Sequence, residues 1–140
     1  MSIHKTPVRV IYGDTDNMGQ AYHANYFRWF ETGRTEMLRA LGLSYKEVEK
    51  QGIFLPVSEI YCRFSAPVRY DDMLIIETAV DRQVKGGIKF DYILWNDDET
   101  RAVAKGFTKH ACVNREGRVV RPPAFLATVI QQAALQNGAV

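Results

Sequence analysis

Residues 24–41, which read ANYFRWFETGRTEMLRAL, predict a long helix. Apolar residues recur there at intervals of three and four, the spacing of one helix face. They are Tyr26, Phe27, Phe30, Gly33, Met37, Leu38 and Leu41. The face is wide and rich in aromatic rings, so we expect the helix to be largely buried. Gly33 lies on this face, although glycine is less favourable than alanine in a helix by ~1 kcal/mol. A close approach of the helix to a sheet or a ligand would explain a glycine at this position.

The remainder of the chain predicts strands joined by turns. A first strand is expected at residues 6–12, and Ser44 with Glu47 forms a capping box that opens a short helix. Alternating apolar residues then predict four strands, at residues 54–65, 74–84, 88–94 and 103–113. Two prolines, Pro122 and Pro123, can start a terminal helix. Because turns rather than crossover helices join the strands, we expect a mostly antiparallel sheet around the long helix.

Length and composition exclude several classes of protein. The 140 residues suit one domain, 1–140, and the net charge of +2 gives no support for a nucleic-acid binder. Cys62 and Cys112 form no CxxC motif, so neither a disulfide framework nor a zinc ribbon is expected, and both are interpreted as core thiols. No apolar run reaches the ~18 residues of a membrane span, and the N-terminus lacks the apolar core of a signal peptide. We therefore expect a cytoplasmic protein.

Residues 12–26, YGDTDNMGQAYHANY, concentrate the polar chemistry directly before the helix. A helix N-terminus presents unpaired N–H groups and a partial positive charge, which can stabilise an oxyanion. A carboxylate in the preceding loop, Asp14 or Asp16, can serve as a nucleophile or a general base. The same residues are also ordinary turn and capping residues, and a DxD pair can hold Mg²⁺. No second acidic cluster supports a metal, so none is predicted.

The pattern Tyr12-x-Asp14-Thr15-Asp16-x-x-Gly19-x-x-Tyr22-His23-x-x-Tyr26 resembles the signature of the 4-hydroxybenzoyl-CoA thioesterase family, particularly its YbgC-like acyl-CoA thioesterases. The helix that follows and the motif PVRYDD at residues 67–72 are similar to that family as well. The resemblance extends over about residues 8–121. It implies an α+β hot-dog fold, a curved antiparallel sheet wrapped around one long central helix.

The resemblance also implies roles for individual residues. Asp16 would attack the thioester carbonyl or activate water, the backbone N–H of His23 would bind the oxyanion, and Tyr12 would act with them. Asp14 would shape the loop, and Gly19 would permit a tight turn. The motif residues expected to bind substrate are Gly19, Tyr22 and Tyr26. Gln20 and Ala21 stand where relatives often carry aliphatic residues, which leaves the polarity of the pocket open.

Several alternatives stand beside these roles. A different hot-dog branch uses a glutamate on the central helix, for which Glu31 and Glu36 are available; Glu31 can instead pair with Arg34 or Arg28. A basic hairpin is a candidate for binding the CoA phosphates, although its lysines can equally be solvated; its residues are Lys85, Gly86, Gly87 and Lys89. A second basic candidate comprises Arg115, Arg118 and Arg121. We interpret His110, Trp29 and Trp95 as structural residues.

The expected function is a cofactor-independent acyl-CoA thioesterase, in which CoA is part of the substrate. The alternatives are a non-catalytic hot-dog module that binds acyl groups or acyl carrier protein, and a hot-dog dehydratase. A curved sheet around one helix leaves a strand edge unpaired, so we expect a homodimer or a homotetramer. Residues 56–59 are the predicted contribution of one subunit to the acyl pocket of the other.

Overall fold

The structure, a computed structural model, describes residues 3–81 and 86–138 of the 140-residue chain. Five strands and three helices follow one another in an order close to the expected one. They are β1 (Ile3–Arg9), α1 (Ala24–Ala40), α2 (Tyr45–Lys50), β2 (Val57–Phe64), β3 (Met73–Asp81), β4 (Gly87–Asn96), β5 (Ala102–Ala111) and α3 (Ala124–Gly138).

The strands form one sheet in the order β1-β3-β4-β5-β2, and every neighbouring pair is antiparallel. Strands β3, β4 and β5 are a meander, to which β1 adds beside β3 and β2 adds beside β5. Register shifts occur between Val57 and Glu59 in β2 and between Leu94 and Trp95 in β4. Such irregularities increase the local bend and twist of a sheet.

Helix α1 packs on the buried face of this sheet. Phe30 of α1 stacks on Tyr92 of β4, with 4.2 Å between the ring centroids. At Gly33, an added Cβ would collide with the Thr78 hydroxyl and lie 2.7 Å from Cγ2 of Ile76. The predicted close approach at Gly33 is therefore confirmed, and the surface approached is β3.

The predicted secondary structure agrees with the structure apart from its boundaries. Helix α1 ends one residue early, and Ser44 caps α2 by accepting a hydrogen bond from the Glu47 N–H at 3.2 Å. Strand β1 lies earlier than predicted, because the chain leaves the sheet after Val10 and forms a single 3-10 turn, Tyr12–Asp14. Strand β2 is shorter than predicted, since Phe54 makes only an isolated bridge to Val113. The predicted strand residue Val84 lies outside the described residues.

Strand β2 forms an edge of the sheet and keeps much apolar surface in contact with solvent. Four of its side chains are 41–49% exposed: Val57, Ile60, Tyr61 and Phe64. The opposite edge, β1, carries Lys5 and Arg9, and β2 carries Glu59 and Arg63, so both edges include charged residues. Edge β2 differs in its exposed large apolar side chains, of which β1 has only Ile3 among the described residues.

Helix α3 adds to the apolar core through Leu126 and Ala133, both fully buried. Among residues 3–81 and 86–138, no helix has the length and hydropathy that a membrane crossing requires.

Candidate active site

The loop between β1 and α1 closes on itself through its backbone. The Asp16 N–H donates to the Gln20 carbonyl at 2.7 Å, and the Gly19 N–H donates to the Asp16 carbonyl at 3.0 Å. Gly19 has a φ of +74°, a left-handed conformation that glycine adopts without strain. The Ala21 N–H then donates to the Val68 carbonyl at 2.7 Å, which ties the loop to the segment before β3. The predicted role of Gly19 in a tight turn agrees with this geometry.

Asp16 is exposed at the tip of this turn, and backbone donors orient its carboxylate. Its Oδ1 accepts hydrogen bonds from the N–H groups of Met18 at 2.8 Å and Gln20 at 3.2 Å. Both recorded bonds to the carboxylate use Oδ1. The side chain is therefore oriented without being buried, as a group that must meet a substrate requires.

His23 lies at the junction between the loop and α1. Its backbone is already helical, with φ of −57° and ψ of −31°. Within the part of the chain that the structure describes, nothing accepts a hydrogen bond from its backbone N–H. This N–H is one of the unpaired donors at the positive end of the helix dipole. The imidazole packs against the Tyr22 ring, with 4.3 Å between centroids.

Asp16 and His23 line one open groove of about 440 Å³ between the loop and the end of β2. Its other lining residues are Gln20, Ala21, Tyr26, Phe64, Ser65, Ala66 and Pro67. Burial raises the pKa of Tyr26 to about 12, with a smaller contribution from Cys62, so its phenol stays protonated at neutral pH. The groove is thus lined by Asp16, by His23, whose backbone N–H is unbonded among the described residues, and by an apolar wall.

Asp14, the first aspartate of the motif, is buried and fully engaged. Its Oδ1 binds the guanidinium of Arg28, and its Oδ2 accepts from the Ile11 N–H at 3.0 Å. Its backbone carbonyl accepts from the Tyr22 N–H and from Nδ2 of Asn25, each at 2.8 Å. These contacts agree with the predicted role of Asp14 in shaping the loop. They also correct the suggested pairing of Arg28 with Glu31, since Arg28 pairs with Asp14.

The structure places two predicted tyrosines outside the groove. Tyr12 is 78% exposed and packs edge-on against Tyr70, with 5.6 Å between centroids. Tyr22 is 49% exposed and contacts His23. Neither belongs to the side chains that line the groove, so of the predicted site residues the structure brings together Asp16, His23 and Tyr26.

The predicted basic hairpin lies at the other end of the sheet. The Asp16 loop adjoins the start of β3, whereas the hairpin follows its end, and a strand of nine residues spans about 26 Å. Lys89 lies 3.3 Å from Asp91 and 3.8 Å from Asp81, and an added Cβ at Gly87 would collide with the His110 carbonyl. Lys85 lies outside the described residues, and Gly86 occupies the turn with φ of +79°. Within one chain Gly86, Gly87 and Lys89 do not line the groove, and the role of the hairpin in binding CoA stays a prediction.

In the second basic candidate, Arg115, Arg118 and Arg121, one arginine already has a partner: Arg115 donates a hydrogen bond to the Lys50 carbonyl at 3.0 Å. Of the two candidate glutamates, Glu36 pairs with Arg39 on the surface of α1. Glu31 is exposed and lines a smaller cavity of about 110 Å³, together with Arg34, Thr35, Tyr45, Leu55, Phe90 and His110.

Sequence reasoning missed a buried polar chain beside this smaller cavity. The Tyr92 hydroxyl lies 2.6 Å from Oγ1 of Thr108, which lies 2.8 Å from Nε2 of His110. Nδ1 of His110 lies 3.0 Å from the Leu55 carbonyl. The signal that could have revealed part of it is the i, i+2 spacing of Thr108 and His110, which places both on the buried face of β5.

Comparison with known proteins adds to this geometry. Residues 10–133 match the model of the thioesterase-like superfamily, which is most of the chain. The chain belongs to that superfamily. The acyl-CoA thioesterase YbgC of Haemophilus influenzae is a relative, 38% identical over 110 residues, which are 77% of this chain and 79% of YbgC. The predicted thioesterase family is thereby confirmed.

Solved structures of proteins named as thioesterases have the same fold. The DHNA-CoA thioesterase of Staphylococcus aureus superposes with a TM-score of 0.87 at 26% identity, over 99% of this chain and 93% of that one. A mutant 4-hydroxybenzoyl-CoA thioesterase, bound to 4-hydroxybenzoyl-CoA, superposes with a TM-score of 0.83 over 93% of this chain and 99% of that one. At 19% identity, the second likeness concerns the fold alone. The predicted α+β hot-dog fold is confirmed.

Proposed function

We propose that this chain is an acyl-CoA thioesterase that hydrolyses the thioester to a free acid and CoA at the Asp16 groove. One observation carries the proposal. Asp16, with its exposed carboxylate, and His23, with its unbonded backbone N–H, both line one groove at the start of a 17-residue helix. Acyl transfer from a thioester requires a nucleophile or base on one side of the carbonyl and an oxyanion donor on the other.

The chemistry assigns each group a step. The thioester oxygen accepts a hydrogen bond from the His23 N–H, which stabilises the negative charge that grows as the carbonyl is attacked. Asp16 either attacks the carbonyl carbon, expelling the CoA thiolate and leaving an anhydride that water hydrolyses, or removes a proton from the attacking water. In both routes one water is consumed: its oxygen enters the free acid, and the departed CoA thiolate takes up a proton from it to become the thiol. The proposed reaction requires no cofactor.

The names of the relatives support CoA thioesters as the substrate class. YbgC is named for acyl-CoA, and the staphylococcal structure for a CoA ester of DHNA. For this chain the apolar wall of the groove, with Phe64, Ala66 and Pro67, suits a hydrocarbon acyl group. The Ser65 hydroxyl and the Gln20 amide offer hydrogen bonds to a polar substituent on that group.

We further propose that the active protein is a homodimer, alone or within a homotetramer. The groove is bounded by Phe64 at the end of β2, and β2 is a sheet edge with four half-exposed apolar residues. A second chain that pairs with or packs on β2 would cover this surface. Its residues 56–59 would then lie where they can contribute to the acyl pocket.

The decisive test of function is Asp16→Asn, assayed with a panel of acyl-CoA and acyl carrier protein thioesters through release of the free thiol. We expect at least ~100-fold lower kcat with an unchanged fold, because the nucleophile or base is lost. Asp97→Asn, which alters another exposed carboxylate, is the matched control and should retain full activity. Near-normal turnover by a folded Asp16→Asn protein would contradict the assignment, and Glu31→Gln in the same assay would then test the helix glutamate.

The wild-type protein distinguishes an enzyme from a binding module. Binding of acyl groups or acyl carrier protein without thiol release would support the non-catalytic module. Formation of an enoyl thioester from a hydroxyacyl thioester would support the dehydratase.

A further inference from the structure

Arg28 and Asn25, on the first two turns of α1, contact the loop that carries Asp16. We propose that they are positioning residues, which act through Asp14 to hold the Asp16 carboxylate and the His23 N–H on the same groove. The proposal rests on the thioesterase function proposed above. Neither residue lines the groove, so neither is expected to touch the substrate.

Asp14 is the point through which the two residues act. Its carboxylate receives the Arg28 guanidinium, and its backbone carbonyl receives Nδ2 of Asn25. The Asp14 side chain is 5% exposed, whereas that of Arg28 is 51% exposed. A carboxylate that is so buried needs a cation or several donors to remain in place, and Arg28 is its recorded ion-pair partner. Removal of Arg28 therefore disturbs Asp14 more than it disturbs the surface.

Asp14 in turn ties together the two ends of the loop. It precedes Asp16 by two residues, and its carbonyl accepts the hydrogen bond from the N–H of Tyr22, which precedes His23. Thr15 and Ala21 form a β-bridge directly beside this bond. A shift of Asp14 would therefore move the carboxylate and the oxyanion donor relative to each other. Misplacement of reacting groups by about 1 Å can lower a rate by ~100-fold.

Charge supports the same assignment. Hydrolysis generates negative charge at the carbonyl oxygen, next to the start of α1. An Asp14 carboxylate without its partner would add a second negative charge to the same loop. Arg28 neutralises that charge locally, so Asp16 is left as the anion that faces the groove.

The test compares two arginines of the same helix. We expect Arg28→Ala to lower kcat by ~10–100-fold while KM changes by less than ~3-fold, since positioning affects the reaction more than substrate binding. Arg39→Ala, which breaks an exposed ion pair with Glu36 far from the groove, should leave both constants unchanged. Arg28→Lys keeps the positive charge and should recover most of kcat. An unchanged kcat in Arg28→Ala would overturn the proposal, as would an equal loss in the lysine variant and the alanine variant.

Asn25 is tested by Asn25→Leu, which has a similar size but cannot donate to the Asp14 carbonyl. We expect a loss of kcat of about 5-fold, smaller than for Arg28, because one uncharged hydrogen bond is removed. A double-mutant cycle then separates positioning from stability. Arg28→Ala should have a clearly smaller effect on kcat in the Asp16→Asn background, because only the His23 N–H is left to position. A full multiplicative loss in that background would overturn the positioning role.

Amide hydrogen exchange keeps this proposal separate from the thioesterase assignment. If the wild-type protein hydrolyses no thioester in the panel, the proposed function fails. Exchange then measures the positioning itself: Arg28→Ala should accelerate exchange in residues 14–23 and leave β3 and β4 unchanged. Equal exchange in the variant and the wild-type protein would overturn it whatever the activity.

Discussion

Helix α1 contacts two polar systems that differ in how completely their groups are hydrogen bonded. At its start, Asp16 and His23 line an open groove, and the His23 backbone N–H has no partner among the described residues. Near its middle, Tyr92, Thr108 and His110 are at most 3% exposed, and each hydroxyl and ring nitrogen has a partner. Buried polar groups that are fully paired stabilise a fold, whereas an accessible unpaired donor is available to a ligand.

The buried chain has a single arrangement of donors. The Leu55 carbonyl can only accept, so Nδ1 of His110 carries the proton and Nε2 accepts from the Thr108 hydroxyl. Thr108 therefore accepts from Tyr92. Burial lowers the pKa of His110, and the nearby positive charge of Arg34 lowers it further. Burial raises the pKa of Tyr92, and Arg34 opposes part of that rise. Both groups are thus neutral near pH 7. The contrast with the loop gives two predictions. Substitutions in the buried row Tyr92–Thr108–His110 should change stability, and substitutions in the Asp16 loop should change activity.

Thr108→Val gives the largest expected effect and tests the stability half of this contrast. It keeps the shape of the side chain but leaves the Tyr92 hydroxyl and Nε2 of His110 without their partner. We expect a loss of about 2–4 kcal/mol in the free energy of unfolding, measured by urea denaturation, with kcat within about two-fold of wild type.

Thr78→Val is its matched control. Thr78 is fully buried on β3, and its hydroxyl lacks a hydrogen-bond partner within the described part of the chain. Replacement of that hydroxyl by a methyl group should be neutral or stabilising. Equal losses in the free energy of unfolding from the two variants would mean that the hydrogen bonds of Thr108 add no stability beyond that of an ordinary buried threonine.

Gly33→Ala tests whether the position of α1 on the sheet, rather than the loop alone, sets stability. The new methyl group meets Thr78 and Ile76, so overpacking outweighs the gain in helix propensity. We expect a net loss of about 1–2 kcal/mol in thermal or urea unfolding. Gly13→Ala, where an added Cβ meets no atom within 4 Å, should change stability by less than about 0.5 kcal/mol. A stabilising Gly33→Ala would contradict the observed contact.

Acid provides a reversible test of the buried chain. Because the pKa of His110 is lowered in the folded state, the unfolded chain binds a proton that the folded chain does not, below about pH 6.5. The contribution of His110 to the free energy of unfolding is therefore constant above that pH. It is lost as the pH falls, with a slope of at most about 1.4 kcal/mol per pH unit. Urea denaturation from pH 7.5 to 5 should show a shallower acid loss for His110→Gln than for wild type. Identical slopes would show that His110 does not titrate differently on folding.

His23→Ala gives the smallest expected effect and sharpens the functional half of the contrast. The backbone N–H, not the imidazole, is the proposed oxyanion donor, and alanine retains it. We expect kcat to fall by less than about 10-fold, far less than for Asp16→Asn, with stability changed by less than about 0.5 kcal/mol. A complete loss of activity in a folded His23→Ala protein would assign an essential role to the imidazole.

The sequence allowed the larger features of the molecule to be predicted because they repeat. The apolar period of α1 and the alternation in β3 and β4 extend over many residues, and a one-residue error would place an entire apolar face in solvent. The motif around Asp16 was recognisable because its residues are close together in the chain. The groove, however, also required Phe64 and Pro67, which the motif does not contain.

Contacts between distant residues could not be predicted in this way. Arg28 pairs with Asp14 across a closed loop, and His110 donates to Leu55, 55 residues earlier. Neither pair follows a fixed spacing on one helix or strand. Tyr12 was predicted to act with Asp16, yet the 3-10 turn directs it toward Tyr70 and solvent. The direction of a side chain in such a turn depends on backbone angles that residue types alone do not determine.

The order of donors in the buried chain also determines how protons can travel through the protein. A row of hydroxyl and imidazole groups conducts protons only if every member can reverse its orientation after each transfer. Here the Leu55 carbonyl at one end has no proton to give, and the Arg34 guanidinium beside Tyr92 at the other end has no lone pair to receive one. Reversal is therefore blocked at both ends, and the row from Tyr92 to His110 acts as an insulator rather than a proton wire.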